Sequence, residues 1–321
     1  MLTGLASATR RFARAQFLRL MRTAPTASAM AFVPLARRHG VKLHVTNDGV
    51  GLSRGDRMIR LAHRHQFYIP DVLAAFNYYH GAVEPAERDG MFVADYSKPA
   101  AHHVRGYSLH PIAFASIPEP AETAFEYMRL VDLKAGETVI DLGAYAGLTS
   151  VLFDQKVGPN GSVVAVEADE ANSACVRRNL AAYHAATGRS VELVRAAIWR
   201  EDGELAFSSE GAMGSSAVEC VGSDRAPQIM VPAKTLTTLA NDLALPRVDF
   251  IKCDIEGAEA EIFDQPDFFA RYRPRIVIEV HVVAGKLTSD ACRRAIGQFG
   301  YQFEEVGQPG TDLPLLVCFP A

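Results

Sequence analysis

Two short stretches concentrate ionisable side chains at a spacing that core packing does not need. One is Lys252-Cys253-Asp254-Ile255-Glu256-Gly257-Ala258-Glu259, the other Glu279-Val280-His281. Along an extended chain alternate residues share a side, so Lys252 projects with Asp254, and Glu279 with His281. A capping box could employ Asp254 or Glu256 at the start of a helix, but not every charge in the set. Neighbouring strands lie about 4.8 Å apart, so Asp254, Glu256, Glu279 and His281 converge if the two stretches end adjacent strands. Such a group can act as a general base. His281 is suited to this by an ordinary pKa of about 6.5, with Glu279 or Glu256 orienting it. The same O and N donors could instead hold Mg²⁺ or Mn²⁺, although no spacing here is diagnostic of a metal and the proton-accepting reading is preferred.

A third stretch, Asp141-Leu142-Gly143-Ala144-Tyr145-Ala146-Gly147, reads as a tight turn between a strand and a helix. Gly143 permits the turn and Gly147 lets the helix pack closely on the sheet. A dinucleotide fingerprint would place its second glycine where this chain has Tyr145, which weighs against a nicotinamide oxidoreductase. A ligand without a pyrophosphate but with a charged amino-acid tail suits the loop better, and S-adenosylmethionine (SAM) is the candidate. Asp141, ending its strand and pointing into the crevice, would bind its ammonium directly or through water. Glu167, at the end of the next apolar run, would accept from the ribose hydroxyls, and Arg195-Ala196-Ala197 would border the adenine. The expected cofactor contacts are Asp141, Gly143, Ala144, Tyr145, Gly147, Glu167, Ala168, Ala196 and Asp254.

These residues need a scaffold that brings strand ends together. Apolar runs at Thr138–Leu142, Ser162–Val166, Val191–Ala197, Val248–Ile251 and Ile276–Val280 alternate with helical patterns such as Ala171–Ala186, the signature of a parallel sheet covered on both faces. Ligands of such sheets bind beyond the C-terminal strand ends, where all three stretches fall. Tyr301–Val306 and Leu313–Phe319, joined by a Gly/Pro turn, predict a closing antiparallel hairpin. Upstream, Val41–Thr46, Met58–Leu61 and Phe92–Tyr96 read as short strands, Asn47–Asp56 as turn, and Ile69–His80 as a helix. The expected organisation is a 1–110 accessory or cap region and a 111–321 catalytic domain.

Charge supports that boundary. The net charge is −4, yet residues 1–110 carry 15 Lys+Arg against 7 Asp+Glu, and residues 111–321 carry 18 against 30. Within Met1–Met30, five arginines interleave with apolar residues and no acid precedes Asp48, the pattern of a basic amphipathic helix. The 49% hydrophobic and 22% charged content excludes a disordered or fibrous chain, and no apolar run is long enough to span a membrane. Five scattered cysteines without a CxxC argue against a disulfide framework or structural zinc, and fit a cytoplasmic setting.

Taken together, Val-Ile-Asp141-Leu-Gly-Ala-Tyr-Ala-Gly-Leu-Thr-Ser150, Val-Glu167-Ala-Asp, Phe-Ile-Lys252-Cys-Asp254-Ile-Glu256-Gly257-Ala-Glu259 and Ile-Glu279-Val-His281 resemble the FkbM family of SAM-dependent methyltransferases. The resemblance covers about residues 115–321. It implies a class I methyltransferase fold, a Rossmann-like doubly wound α/β sheet with a closing antiparallel hairpin, here preceded by a small N-terminal α+β region. It also implies O-methylation of hydroxyls on small molecules, sugars, glycolipids or polyketides. Thr237 departs from the Asp such chains often carry after Thr-Leu, with a helix start as the expected consequence. A non-catalytic SAM-binding or docking protein would need nothing at 252–259 or 279–281. The basic front could meet phosphates, but no Asn-Pro-Pro-Tyr-like tetrapeptide follows the fourth strand, which disfavours a nucleic-acid acceptor.

Overall fold

Apolar strand runs bounded by glycine and proline leave few ways to bury both faces of a sheet, and the chain takes the layered one. In a computed structural model, residues 20–21, 23–222, 226–308, 311 and 313–321 are described. Most of the basic stretch expected as an amphipathic helix within 1–30 lies outside them. The chain forms two compact units. One runs to Ala100 and takes in Ser116–Pro118; the other comprises Ala101–Ala115 and Glu119–Ala321.

The first unit is built on a five-stranded sheet in the order Lys42–Val45, Gly49–Arg54, Arg57–Ala62, Met91–Tyr96, Ala86–Arg88. Its core gathers Leu52, Ile59, Leu61, Val72, Leu73 and Phe76. Gly49–Arg54 is a strand where the sequence predicts a turn. Its glycines serve a close approach, since a Cβ at Gly49 would fall 2.2 Å from the Leu61 carbonyl oxygen. The helix expected over Ile69–His80 is two, Ile69–Ala74 and Phe76–Gly81, broken at Ala75 (φ −115°, ψ 39°).

The second unit carries a seven-stranded sheet whose strands we label in chain order: β1 (Thr138–Leu142), β2 (Ser162–Val166), β3 (Glu192–Val194), β4 (Phe250–Cys253), β5 (Arg275–Glu279), β6 (Tyr301–Val306) and β7 (Leu315–Pro320). Their spatial order is 3-2-1-4-5-7-6. Strands β1 to β5 pair in parallel, while β7 runs antiparallel to both β5 and β6. This is the class I methyltransferase arrangement, Rossmann-like with a closing hairpin. Ile140, Leu142, Ile251, Cys253, Ile276 and Ile278 share one core. The alternate residues face the other side, where Phe153 packs edge-on against Phe250 at 5.4 Å. Helices Ala121–Leu130, Leu148–Val157 and Glu170–Thr187 belong to the same unit.

The polar segment between β3 and β4 is itself folded. It forms a small sheet from Ala197–Ile198, Gln228–Lys234, Gly203–Ser208 and Ser216–Ala217. The helix Leu236–Asp242 after it is capped by Thr235, whose side chain accepts from the Thr238 N–H. Thr237 lies in that first turn, where its N–H and hydroxyl both donate to Gln265 Oε1. All five cysteines are free, and no helix among the described residues is long and apolar enough to cross a membrane.

Candidate active site

The switch in strand order falls between β1 and β4, and there the Gly143–Gly147 loop leaves the sheet. Three of its residues have positive φ: Gly143 (75°), Tyr145 (52°) and Gly147 (77°). Tyr145 therefore adopts the left-handed backbone that a glycine would take at no cost. Its N–H donates to Glu167 Oε2 at 2.8 Å, and Glu167 Oε1 accepts from Asp169 N–H at 2.8 Å. The loop also lies hard against the end of β4, since a Cβ at Gly143 would sit 1.8 Å from the Asp254 carbonyl oxygen. Burial pushes the Glu167 pKa up to about 8, against the backbone N–H bonds that favour its charged form. Of the other expected cofactor contacts, Ala144, Ala168 and Ala196 are nearly or wholly buried along this rim.

Asp141 is fully buried rather than open to the crevice. Its Oδ2 accepts from Ser150 at 2.6 Å, and its Oδ1 is 3.5 Å from Lys252 Nζ. The parallel register explains the pair, because Lys252 on β4 sits directly beside Asp141 on β1. Lys252, 2% exposed, also donates to the carbonyls of Gly143 (2.8 Å) and Leu142 (3.3 Å), and lies 3.4 Å from Asp254 Oδ2. The ammonium thus ties the glycine loop to the carboxylates of the neighbouring strand end.

Beyond β4 and β5 the second charged group assembles. His281 Nε2 is 3.8 Å from Asp254 Oδ1 and 3.7 Å from Glu256 Oε1, and His281 Nδ1 is 3.1 Å from Glu259 Oε1. The carboxylate that engages Nδ1 is therefore Glu259, rather than Glu279 or Glu256. The reason is local. Glu256 (φ 55°) and Gly257 (φ 105°) form a left-handed turn that brings Glu259 back beneath the histidine. Glu279 instead accepts from the Tyr127 hydroxyl at 3.0 Å and from Gln308 at 3.2 Å.

Electrostatics follow from this crowding. Burial pulls the His281 pKa down, but Glu256 and Glu259 outweigh it and hold it well above the ordinary value. Burial, reinforced by Asp254, pushes Glu279 up to about 7. Glu119, which accepts weakly from Thr149 at 3.4 Å, is pushed up to about 8, mainly by burial and against the pull of Lys252. Glu119, Tyr127 and Gln308 carry no motif of their own, and only their place around Asp254 and Glu279 reveals them. Donor atoms of Asp254, Glu279 and His281 lie within 4.8 Å of one another, the one such trio among the described residues.

Residues 141–303 match the Methyltransferase FkbM domain, half of the chain. The protein belongs to the FkbM methyltransferase family. None of the curated proteins matches it in sequence. Among solved structures, it is similar to a methyltransferase FkbM from Methylobacillus flagellatus KT (14% identity over 57% of this chain and 43% of that one, TM-score 0.41). A precorrin-6y C5,15-methyltransferase from Geobacter metallireducens GS-15 is similar at 18% identity over 64% and 90%, with a TM-score of 0.40. Aeropyrum pernix fibrillarin, solved with natively bound S-adenosyl-L-methionine, is similar at 12% over 62% and 73%, also with a TM-score of 0.40. This FkbM chain thus spans less than half the length of its Methylobacillus counterpart.

Proposed function

We propose that this FkbM protein is an O-methyltransferase that uses SAM to methylate a hydroxyl of a small molecule, sugar, glycolipid or polyketide. The observation that carries the reading is the convergence of Asp254, Glu256 and His281 at the strand ends next to the Gly143–Gly147 loop and Glu167. The loop has the tight backbone that a pyrophosphate-free nucleoside ligand needs, and it puts Glu167 directly behind that backbone. These features fit SAM. Gly143, Ala144, Tyr145 and Gly147 would line its amino-acid end and Glu167 its ribose, with Ala168 and Ala196 beside the base. Asp141 would act on the ammonium end through Lys252 and the loop it braces.

When bound, SAM supplies an electrophilic methyl group on a sulfonium, so the protein's work is alignment and proton removal. An aliphatic hydroxyl stays protonated at neutral pH, so a base must take its proton as the new bond forms. His281 is that base in this reading, through Nε2, with Asp254 and Glu256 shaping the space beside it. That raised pKa keeps a proton on His281 at neutral pH. Net positive charge brought to this carboxylate-rich cluster lowers its pKa and frees Nε2 to accept. No metal is invoked. Lys252 already lies against Asp254, and Tyr127 already donates to Glu279.

Calorimetric titration with S-adenosylhomocysteine, with NAD⁺ as control, tests the cofactor half. Binding that is lost in Glu167→Ala, with none for NAD⁺, supports it; NAD⁺ binding, or no binding of either, overturns it. For the chemical half, purified protein, labelled SAM and a panel of hydroxylated acceptors should give a methyl ether whose formation collapses in His281→Ala. Undiminished turnover in that variant would remove His281 from its role.

A further inference from the structure

Glu259 is fully buried, yet its carboxylate engages four polar groups. Oε2 accepts from Gly257 N–H at 2.8 Å. Oε1 accepts from His281 N–H (3.2 Å) and the Thr288 hydroxyl (2.7 Å), and it is the partner of His281 Nδ1 (3.1 Å). Thr288 closes the figure, since its hydroxyl also accepts from His281 N–H and its own N–H donates to the His281 carbonyl. The short hairpin Val282–Leu287 is therefore pinned at both ends to one carboxylate.

A carboxylate on Nδ1 fixes what the other ring nitrogen can do. With the Nδ1 proton donated to Glu259, neutral His281 must present a bare Nε2, and Nε2 is the atom that faces Asp254 and Glu256. The Oε2 bond to Gly257 acts on the same geometry from the other side. It holds the left-handed Glu256–Gly257 turn that sets the Glu256 carboxylate 3.7 Å from Nε2.

We infer that Glu259 is the positioning residue of the reaction: through its bonds to His281, Thr288 and Gly257 it fixes the tautomer and aim of His281 and the placement of Glu256. This rests on the reading of His281 as the proton acceptor. Glu259 itself touches neither acceptor nor methyl donor. The charged and titratable groups around the imidazole are Asp254 and Glu256 from the turn after β4, Glu259 from the helical turn that follows, and Glu279 from β5. Glu259 is the one bonded to Nδ1.

The test pairs Glu259→Gln with Glu259→Asp and His281→Gln. The amide keeps the shape but faces a donor with an NH₂, either at Gly257 or at the His281–Thr288 side, and it removes the negative charge. Turnover in Glu259→Gln should fall on the order of 10²–10⁴-fold, the scale seen when a buried acid behind a catalytic histidine is neutralised. S-adenosylhomocysteine affinity should stay within about threefold, and the acidic limb of the pH–rate profile should move to lower pH. Glu259→Asp, which keeps the charge, should recover at least about tenfold of the loss. Turnover near wild type in Glu259→Gln, with His281→Gln inactive, overturns this inference alone. Full turnover in His281→Gln overturns the underlying reading as well. Nitrogen-15 NMR of the wild-type protein supplies a measurement that no folding defect can confound. Neutral His281 should carry its proton on Nδ1, and a proton on Nε2 would refute the assignment.

Discussion

Replacing Lys252 with methionine removes an ammonium that four oxygens share, at nearly unchanged volume. The side chain is 2% exposed, and Asp141 beside it is fully buried with Ser150 as its remaining donor. Breaking a buried ion pair by deleting one partner costs about 3–5 kcal/mol, because the other charge stays behind without compensation. For a unit of this size that is a fall in melting temperature of about 6–20 °C. The loss should depend on pH with a definite sign. Burial already raises the Asp141 pKa against the pull of Lys252, and without the lysine it rises further. Protonation then neutralises the stranded carboxylate as pH falls, so the deficit is largest near pH 8 and shrinks towards pH 5. Adding Asp141→Asn removes the stranded charge outright, and the double variant should regain part of the loss, with a coupling of about 0.5–3 kcal/mol. Differential scanning calorimetry of the four proteins at both pH values measures all of this. A Lys252→Met protein that melts within about 2 °C of the wild type, or a strictly additive double variant, would refute the account of Lys252 as an electrostatic tie.

The other perturbations probe the loop, the raised carboxylates and the metal question. Gly143→Ala puts a methyl about half a van der Waals separation from the Asp254 carbonyl oxygen, at 1.8 Å and φ 75°. It should weaken S-adenosylhomocysteine binding at least about tenfold. Gly188→Ala shares the backbone strain (φ 73°) but has nothing within 4 Å, so it should cost about 1–2 kcal/mol and leave calorimetric affinity intact. Glu119 and Glu167, both near 8, and Glu279, near 7, hold protons in the folded state that the unfolded chain has released. Their contribution favours the fold at acidic pH and is lost as pH rises through these values. The ligand-free melting temperature should therefore fall between pH 5 and pH 8, and a flat or rising curve counts against the buried cluster. Turnover measured after EDTA dialysis should match that of the untreated enzyme; activity that vanishes and returns with Mn²⁺ would make Asp254, Glu279 and His281 a metal centre instead.

What could be read from the sequence followed the strength of local signals. Thr138–Leu142 and Ser162–Val166 are strands at their expected limits because short apolar runs between turn residues can satisfy only a sheet buried on both faces. Gly203–Ser208 and Gln228–Lys234 were hidden because exposed Glu204, Gln228 and Pro232 dilute the apolar pattern of the two strands. Ala75 breaks a helix without glycine or proline, and nothing local announces it. Within the site, strand alternation sufficed to group Asp254, Glu279 and His281. Tyr127 meets Glu279 across 152 residues of sequence, a contact made by packing a helix on the sheet and not by any pattern in the chain. Glu259 shows the limit most clearly. Its position in a run of acids was visible, but its partner depends on two consecutive left-handed residues, one of them Glu256, where a side chain disfavours that backbone. A strained turn of this kind persists only where its surroundings over-determine it, and the bond from Gly257 to Glu259 is one such constraint. The feature that hid Glu259 from the sequence is therefore the same one that points to its role.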